Sequence, residues 1–202
     1  MWYNTFIQID SRVDRSMIPT RKEAERLLRD AEKSNPGAWG NHSRTAAHCA
    51  ERIALACGDL DANKAYIFGL LHDIGRKFGI RHLGHVSDGY TYMMSIGYDE
   101  VAKICLTHSF NNQTVKEYIG KNDTTEEEFS LIQETLKSVT FDEYDRLIQL
   151  CDALVGSDGV LDVEARMEDV KQSDMDFIQK LSGKLMLHSR TTMKGEPEII
   201  YI

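Results

Sequence analysis

The spacing of hydrophobic and polar positions along the chain predicts a protein built from α-helices. Between about residues 20 and 155, apolar residues recur at intervals of three and four, which is the period of an amphipathic helix. Thr20 and Glu23 form a capping box that opens a helix over about residues 20–33, and Thr140 with Glu143 forms a second box. Further helices are predicted to begin near residues 41–43, 61, 86, 99 and 124–125, and to cover about 161–188. Because strand-like alternation is limited to residues 198–202, the predicted fold class is all-α.

The composition is that of an ordinary globular protein. The 202 residues are 42% hydrophobic and 28% charged, so we expect a single domain over residues 1–202. No segment approaches the roughly 20 apolar residues of a membrane span, and the N-terminus lacks the apolar stretch of a signal peptide. A cytoplasmic protein without membrane contact is therefore expected. The four cysteines lie in apolar helical patterns without a C-x-x-C pair, which predicts free core thiols.

Two aspartates stand in segments where burial is expected. Residues 65–72 are apolar on every side of the predicted helix, and Asp73 follows them directly. Asp152 is likewise flanked by apolar residues from Leu147 to Val155. Burying a carboxylate costs several kcal/mol unless something compensates its charge, and a metal ion is the strongest compensation available. Taken singly, each aspartate could equally be a capping or hydrogen-bonded residue.

Helical spacing predicts which histidines point inward. His42 shares its stripe with Ala46 and Ile53, and His108 follows Val101 at an offset of seven, so both imidazoles should face the core. His85 precedes Gly89 by four residues, and the missing side chain there would allow a close approach to the imidazole. Inward histidines and aspartates on separate helices form a nitrogen and oxygen ligand set that suits iron, manganese or zinc.

The other histidines are assigned different roles. His48 shares its helical stripe with charged residues and is predicted to be a solvated surface residue. His82 lies in a loop and could take the place of His85. His188 lies near the end of the last predicted helix, where a packing role is predicted for it.

Three segments carry a resemblance to a known family. The chain reads His-Ser-Arg-Thr-Ala-Ala-His from His42, Leu-Leu-His-Asp-Ile-Gly over residues 70–75, and Leu-Cys-Asp-Ala-Leu over residues 150–154. In this order they resemble the HD-domain superfamily of metal-dependent phosphohydrolases. The resemblance extends from about residue 41 to residue 155 and implies an HD-domain helical bundle. The layout is similar to the branch of symmetrical dinucleoside tetraphosphate hydrolases.

The resemblance implies a ligand set for two divalent ions, which we expect to be iron, manganese or zinc. In the family pattern, one ion would be held by a histidine, a His-Asp pair and a distant aspartate, and the second by two further histidines. Asp73 would bridge the ions. The positions of this chain that match the pattern are His42, His72, Asp73, Asp152, His85 and His108.

The implied activity is hydrolysis of a phosphate mono- or diester by a hydroxide that bridges the metals, with Asp73 and Arg76 in catalytic roles. Arg76 and Lys77 are predicted to contact the phosphate, although Lys77 could also be a solvated surface residue. Because the net charge of −8 opposes binding to a nucleic acid polymer, we expect a small, nucleotide-like substrate. The alternatives are a mixed-valence di-iron oxygenase and a non-catalytic nucleotide-sensing module.

Overall fold

A computed structural model of the protein describes residues 18–118, 120–156 and 159–160. Within these residues the chain forms α-helices, two short 3-10 helices and no β-sheet, which confirms the all-α prediction. The α-helices are α1 (Arg21–Ser34), α2 (Trp39–Cys57), α3 (Ala62–Leu71), α4 (Gly84–Ser95), α5 (Asp99–Thr107), α6 (Glu126–Ser138) and α7 (Glu143–Leu154). The 3-10 helices are Ile74–Phe78 and Val115–Glu117. The predictions for residues 161–202, including His188, lie outside the described residues.

Several helices begin where local capping chemistry predicts. The Thr20 hydroxyl accepts from the backbone N–H of Glu23, whose carboxylate accepts in return from the N–H of Thr20. Asp61 caps α3 in the same way through the N–H of Lys64, and Thr125 forms a capping box at the start of α6. These contacts span three residues, so the sequence alone predicts them.

The predicted capping box at Thr140 is wrong. The N-cap of α7 is Asp142, which accepts from the N–H groups of Tyr144 and Asp145. The carboxylate of Asp145 accepts in turn from the N–H of Asp142, 2.7 Å away. An aspartate therefore performs the role that the predicted pattern assigned to a glutamate, and the helix begins at Glu143.

Three other helices begin at residues that differ from the predicted ones. Their first N–H groups are capped by a distant side chain or by no side chain at the N-cap. The helix α2 begins at Trp39 without a side-chain cap, ahead of the predicted start at 41–43, and the N-cap of α5 is Tyr98 rather than Asp99. The start of α4 lies at Gly84 and not near residue 86, because the carboxylate of Asp123 accepts from the N–H of Gly84 at 2.8 Å. A partner 39 residues away leaves no local signal.

The core is centred on α3, which packs along α2 and contacts α1, α5 and α7. Every residue of α3 from Ala65 to Leu71 is buried, as its all-round apolar sequence predicts. Gly69 allows α3 to approach α2 closely, since a Cβ atom there would lie 2.7 Å from the Cα of Ala47. Three cysteines are buried, whereas Cys57, the last residue of α2, is exposed, so the prediction of a core thiol is wrong there.

No helix among the described residues is long and apolar enough to cross a membrane. The cytoplasmic location stays a prediction.

Gly75 is required where the first 3-10 helix meets α4. A Cβ atom at this position would overlap the carbonyl oxygen of His85 and lie 2.5 Å from the backbone nitrogen of Gly89. The 3-10 helix carries Arg76, and α4 carries His85, so this close backbone contact brings two candidate site residues together.

We expect Gly75→Ala to lower the free energy of unfolding by about 1–3 kcal/mol, because the new methyl group must push α4 away from the 3-10 helix. Chemical denaturation measures the change. Gly156→Ala is the matched control, since the nearest atom to its added Cβ is 3.8 Å away. Equal stability of Gly75→Ala and the wild type would contradict the close packing described here.

Candidate metal centre

Five helices and the segments that follow them deliver ionisable side chains to one place. His42 lies in the second turn of α2, Asp152 near the end of α7, and His85 in the first turn of α4. His72 and Asp73 follow the last residue of α3, and His108 follows α5. The structure gathers these six residues into two groups, and within each group the ligand atoms lie within 4.8 Å of one another. The groups are His42, His72 and Asp152, and Asp73, His85 and His108.

Backbone carbonyls orient three of the imidazoles. The Nδ1 atom of His72 lies 2.7 Å from the carbonyl oxygen of Gly69, and that of His108 lies 3.3 Å from Ile104. The Nδ1 of His85 bonds to the carbonyl of His82. With its proton on Nδ1, each ring donates to a carbonyl and presents the lone pair of Nε2. This arrangement is typical of histidines that bind metals.

The first group is held around one carboxylate oxygen of Asp152. This Oδ1 atom lies 2.9 Å from Nε2 of His42 and 3.4 Å from Nε2 of His72. The two imidazoles meet edge to face, with their ring centroids 5.3 Å apart. Two nitrogen atoms and one oxygen atom therefore converge from α2, the end of α3 and α7.

The second group is held around Asp73. Its Oδ1 atom lies 3.2 Å from Nε2 of His85 and 3.7 Å from Nε2 of His108, and those two nitrogen atoms are 3.3 Å apart. Its other oxygen, Oδ2, lies 3.9 Å from Nε2 of His72 in the first group. One carboxylate thus faces both groups.

The site residues fit a cation. Among the residues that the structure describes, Nε2 of His72 and Oδ1 of Asp73 are buried and have no hydrogen-bond partner. A buried polar atom without a partner costs about 1–3 kcal/mol, and bound divalent ions would satisfy both atoms. Imidazole nitrogen and carboxylate oxygen atoms are ligands that suit zinc, iron and manganese.

The electrostatics favour the ligand forms of the two carboxylates and of His108, whereas Asp73 and Asp152 raise the pKa of His72 against the opposing effect of burial. Burial alone would raise the pKa of Asp73, but His72, Arg76 and His85 together hold it well below the usual range. At Asp152, burial is opposed by the hydrogen bond with His42 and by the charges of His72 and His42, so its pKa is also well below normal. Burial, followed by the nearby charge of His72, lowers the pKa of His108 to about 3. At neutral pH both carboxylates are charged and His108 is neutral, as metal binding requires.

Arg76 is placed beside the two groups, and Lys77 points elsewhere. Nε of Arg76 donates to Oδ2 of Asp73 at 2.5 Å, and the backbone carbonyl of Arg76 accepts from the side-chain amide of Asn35 at 2.6 Å. The ammonium group of Lys77 lies over the ring of Tyr92 on α4, 3.8 Å from its centroid. The substrate contact predicted for Lys77 stays a prediction.

The remaining histidine predictions have clear outcomes. The side chain of His48 is 63% exposed, as expected for a surface residue. The imidazole of His82 is exposed and outside both groups, and His82 contributes its backbone carbonyl to His85 instead. A Cβ atom at Gly89 would lie 3.0 Å from the Cβ of Cys105 and 3.3 Å from the backbone nitrogen of Gly75, so the missing side chain lets these residues lie close to α4. Its role in access to the imidazole of His85 stays a prediction.

The sequence reasoning missed one tyrosine near the site. Tyr118 follows the second 3-10 helix and packs on Phe110 with ring centroids 6.1 Å apart. Burial raises its pKa to about 12, and the charges of Arg76, Asp73 and Asp152 also act on its hydroxyl. It is therefore protonated at neutral pH. Its loop shows no hydrophobic period, so no sequence pattern pointed to it.

Comparison with known families agrees with this geometry. The family model described as the HD domain matches residues 39–156, which is more than half of the chain. The chain belongs to the HD-domain family. No curated protein and no solved structure matches it significantly. HD domains are typically metal-dependent phosphohydrolases that bind divalent metals, and the matched residues include both ligand groups. The helix α1 precedes the matched HD domain.

Metal binding should stabilise the folded protein. At Mn²⁺ concentrations near 100 times the Kd, we expect a gain of about 2.7 kcal/mol, because the ion binds the folded state alone. Thermal unfolding with Mn²⁺ and with EDTA measures this difference. His72→Ala should lose most of the gain, while His48→Ala, which alters an exposed histidine, should keep it. An unchanged gain in His72→Ala would contradict the assignment.

Proposed function

We propose that the protein hydrolyses a phosphate ester of a small, nucleotide-like molecule with two divalent ions. One ion would bind His42, His72 and Asp152, and the other would bind His85 and His108. Asp73 would bridge them. The HD-domain match supports hydrolysis of a phosphorylated compound, and the two groups of side chains support the number of ions.

The carboxylate of Asp73 is the observation that carries this proposal. Its Oδ1 atom faces His85 and His108, while its Oδ2 atom approaches His72 to 3.9 Å. A carboxylate that bridged two ions through both of its oxygens would have this orientation. Such paired metal sites typically hold their ions about 3.5–4 Å apart and clamp a transferring phosphoryl group.

The exposure of the side chains indicates where a substrate would enter. The side chains of His42, Asp152 and Arg76 are 19%, 25% and 32% exposed. Those of Asp73, His85 and His108 are at most 4% exposed. The site therefore opens beside the first group and is closed behind the second. We infer that the phosphate enters along the edge formed by the three partly exposed residues.

Arg76 is suited to bind the phosphoryl group at this edge. Its Nε atom is held by Asp73, and a guanidinium carries further N–H donors in a fixed plane. Asp73 raises the pKa of Arg76 against the opposing effect of burial, so the charge is permanent. Positive charge there would stabilise the negative charge that builds up on the phosphoryl oxygens.

The chemistry divides between the ions and the chain. Bound divalent ions would supply a Lewis acid and lower the pKa of a bound water toward neutrality, so that it can attack phosphorus. His42, His72, His85 and His108 would supply nitrogen ligands from fixed positions, and Asp73 would fix the spacing of the two groups. The acidic chain disfavours a polyanionic polymer, so the proposed substrate is a small phosphate ester.

Phosphate release under nitrogen tests the reaction class. With Mn²⁺ or Fe²⁺ and a panel of nucleotides and sugar phosphates, the wild type should release phosphate without consuming oxygen. Asp73→Asn should lower kcat by at least about 10³-fold, because the ions lose their shared ligand and the nucleophilic water is not activated. Full activity of Asp73→Asn, or product formation only with oxygen, would contradict the proposed hydrolysis.

Arg76→Ala and Lys77→Ala form a matched pair for the phosphate contact. We expect Arg76→Ala to lower kcat/KM by about 10²–10³-fold, as removal of one donor to a developing oxyanion does. Lys77→Ala should lose less than about tenfold, because its ammonium group lies over Tyr92. A larger loss in Lys77→Ala would reverse the two roles. Metal content, measured on both variants, must remain that of the wild type for this comparison.

A further inference from the structure

The end of α5, which carries His108, is bound by a buried glutamine of α7. The side-chain amide of Gln149 donates to the carbonyl oxygens of Thr107 and Phe110, at 2.9 and 3.0 Å. Gln149 is fully buried. The last carbonyl groups of a helix have no partner within the helix, so buried ones need donors from elsewhere. The residues on both sides of His108 are therefore fixed by one side chain.

Further contacts fix the orientation of that glutamine. Nη1 of Arg146 donates to the carbonyl oxygen of Asn111 at 2.5 Å and approaches Oε1 of Gln149 at 3.3 Å. Because the side-chain oxygen of Gln149 faces the guanidinium, its amide nitrogen must face α5. The amide of Gln149 thus cannot rotate without losing three hydrogen bonds.

A partly buried ion pair and a buried hydrogen bond hold the preceding turn of α5 to α7. The hydroxyl of Thr107 donates to Oδ1 of Asp145 at 2.6 Å, and Nζ of Lys103 lies 2.6 Å from Oδ2 of the same carboxylate. Asp145 and Thr107 are fully buried. The two helices are therefore joined by polar bonds at successive turns, up to the residue before His108.

The same helix also carries a ligand of the other group. Asp152 follows Gln149 by three residues, which places both side chains on one face of α7. Nε2 of His42 and Nε2 of His72 meet Asp152, while the backbone around His108 meets Gln149. One rigid turn of α7 therefore relates the two groups to each other.

We propose that Gln149 is a positioning residue that holds His108 at the second metal position and so sets the affinity for the second ion. The proposal rests on the two-ion site of the proposed function. Without the amide donor, the buried carbonyl oxygen of Phe110 loses its bond to Gln149, and that of Thr107 keeps only the backbone N–H of Phe110, so the end of α5 must shift to find another donor. Ligand distances in metal sites tolerate only about 0.2 Å, so a small shift of His108 weakens binding.

The test measures each metal affinity in Gln149→Met, which keeps the length of the side chain and removes its donor. Calorimetric titration of the metal-free protein with Mn²⁺, together with metal analysis, resolves the two ions. We expect the second ion to bind about 10- to 100-fold more weakly, as is typical when a supporting contact to a ligand is lost. The first ion should bind within about threefold of the wild type, because the Gln149 amide donates to the carbonyls of Thr107 and Phe110, next to a ligand of the second ion.

Gln113→Met is the matched control. The amide of Gln113 also donates to two carbonyls at a helix end. These are Leu136, in the last turn of α6, at 3.2 Å, and Val139, which follows α6, at 2.7 Å. Both substitutions remove the same kind of contact, so a purely structural role predicts lower thermal stability of the metal-free protein in both variants and no change in either metal affinity. Only the positioning role predicts a selective loss of the second ion in Gln149→Met.

The outcomes separate this inference from the proposed function. A wild type that never binds more than one ion would contradict the two-ion site and this inference with it. A wild type with two ions, together with unchanged affinities in Gln149→Met, would overturn the role of Gln149 alone. Arg146→Met keeps the amide but frees its oxygen, and it should give a smaller loss in the same direction. This variant decides the matter if Gln149→Met does not fold.

Discussion

The buried carboxylate of Asp73 is the constraint on which the rest of the site depends. A charged group in this position is stable only because histidines and one arginine surround it. Those partners come from separate parts of the chain, so the end of α3, the 3-10 helix after it, α4 and the end of α5 must all meet at one point. The packing of the helical bundle therefore determines which side chains meet at the site.

The helices meet there through contacts made by glycines and by main-chain atoms. Gly69 lets α3 lie against the backbone of α2, and Gly75 lets the 3-10 helix touch the backbone of α4. Backbone carbonyls lie against the Nδ1 atoms of His72 and His108 and orient both imidazoles. The position of each nitrogen ligand therefore follows closely from the path of the main chain.

Much of this arrangement could be predicted from the sequence, for reasons that differ from residue to residue. The apolar stretch of residues 65–72 showed that α3 is buried on all sides, and helical period placed His42 and His108 on inward faces. The capping residues Thr20 and Asp61 act over three positions, so their role is visible locally. The coarse functional class followed from three motifs, which the HD-domain match now covers.

What the sequence did not predict depends on contacts between distant residues. The donor role of Gln149 is invisible in a sequence, because its partners lie 42 and 39 residues earlier. The direction of Lys77 is decided by the ring of Tyr92 on another helix. The sequence shows that Gly89 has no side chain, but only the structure shows that α5 places Cys105 against it. Local period indicates the face on which a residue lies and not the residue that it meets.

The loop between α5 and α6 is bound to helices near both of its ends, unlike an ordinary surface loop. Near the end of this loop lies Asp123. Its carboxylate accepts from the backbone N–H groups of His82 and Gly84 and so forms the cap of α4. Near its beginning, Gln113 is tied to the end of α6. Surface loops usually accept insertions and deletions with little cost. Here a change in length next to Asp123 would displace the first turn of α4, where His85 lies. The loop should therefore accept insertions and deletions only between Gln113 and Asp123, the two residues that bind it to helices.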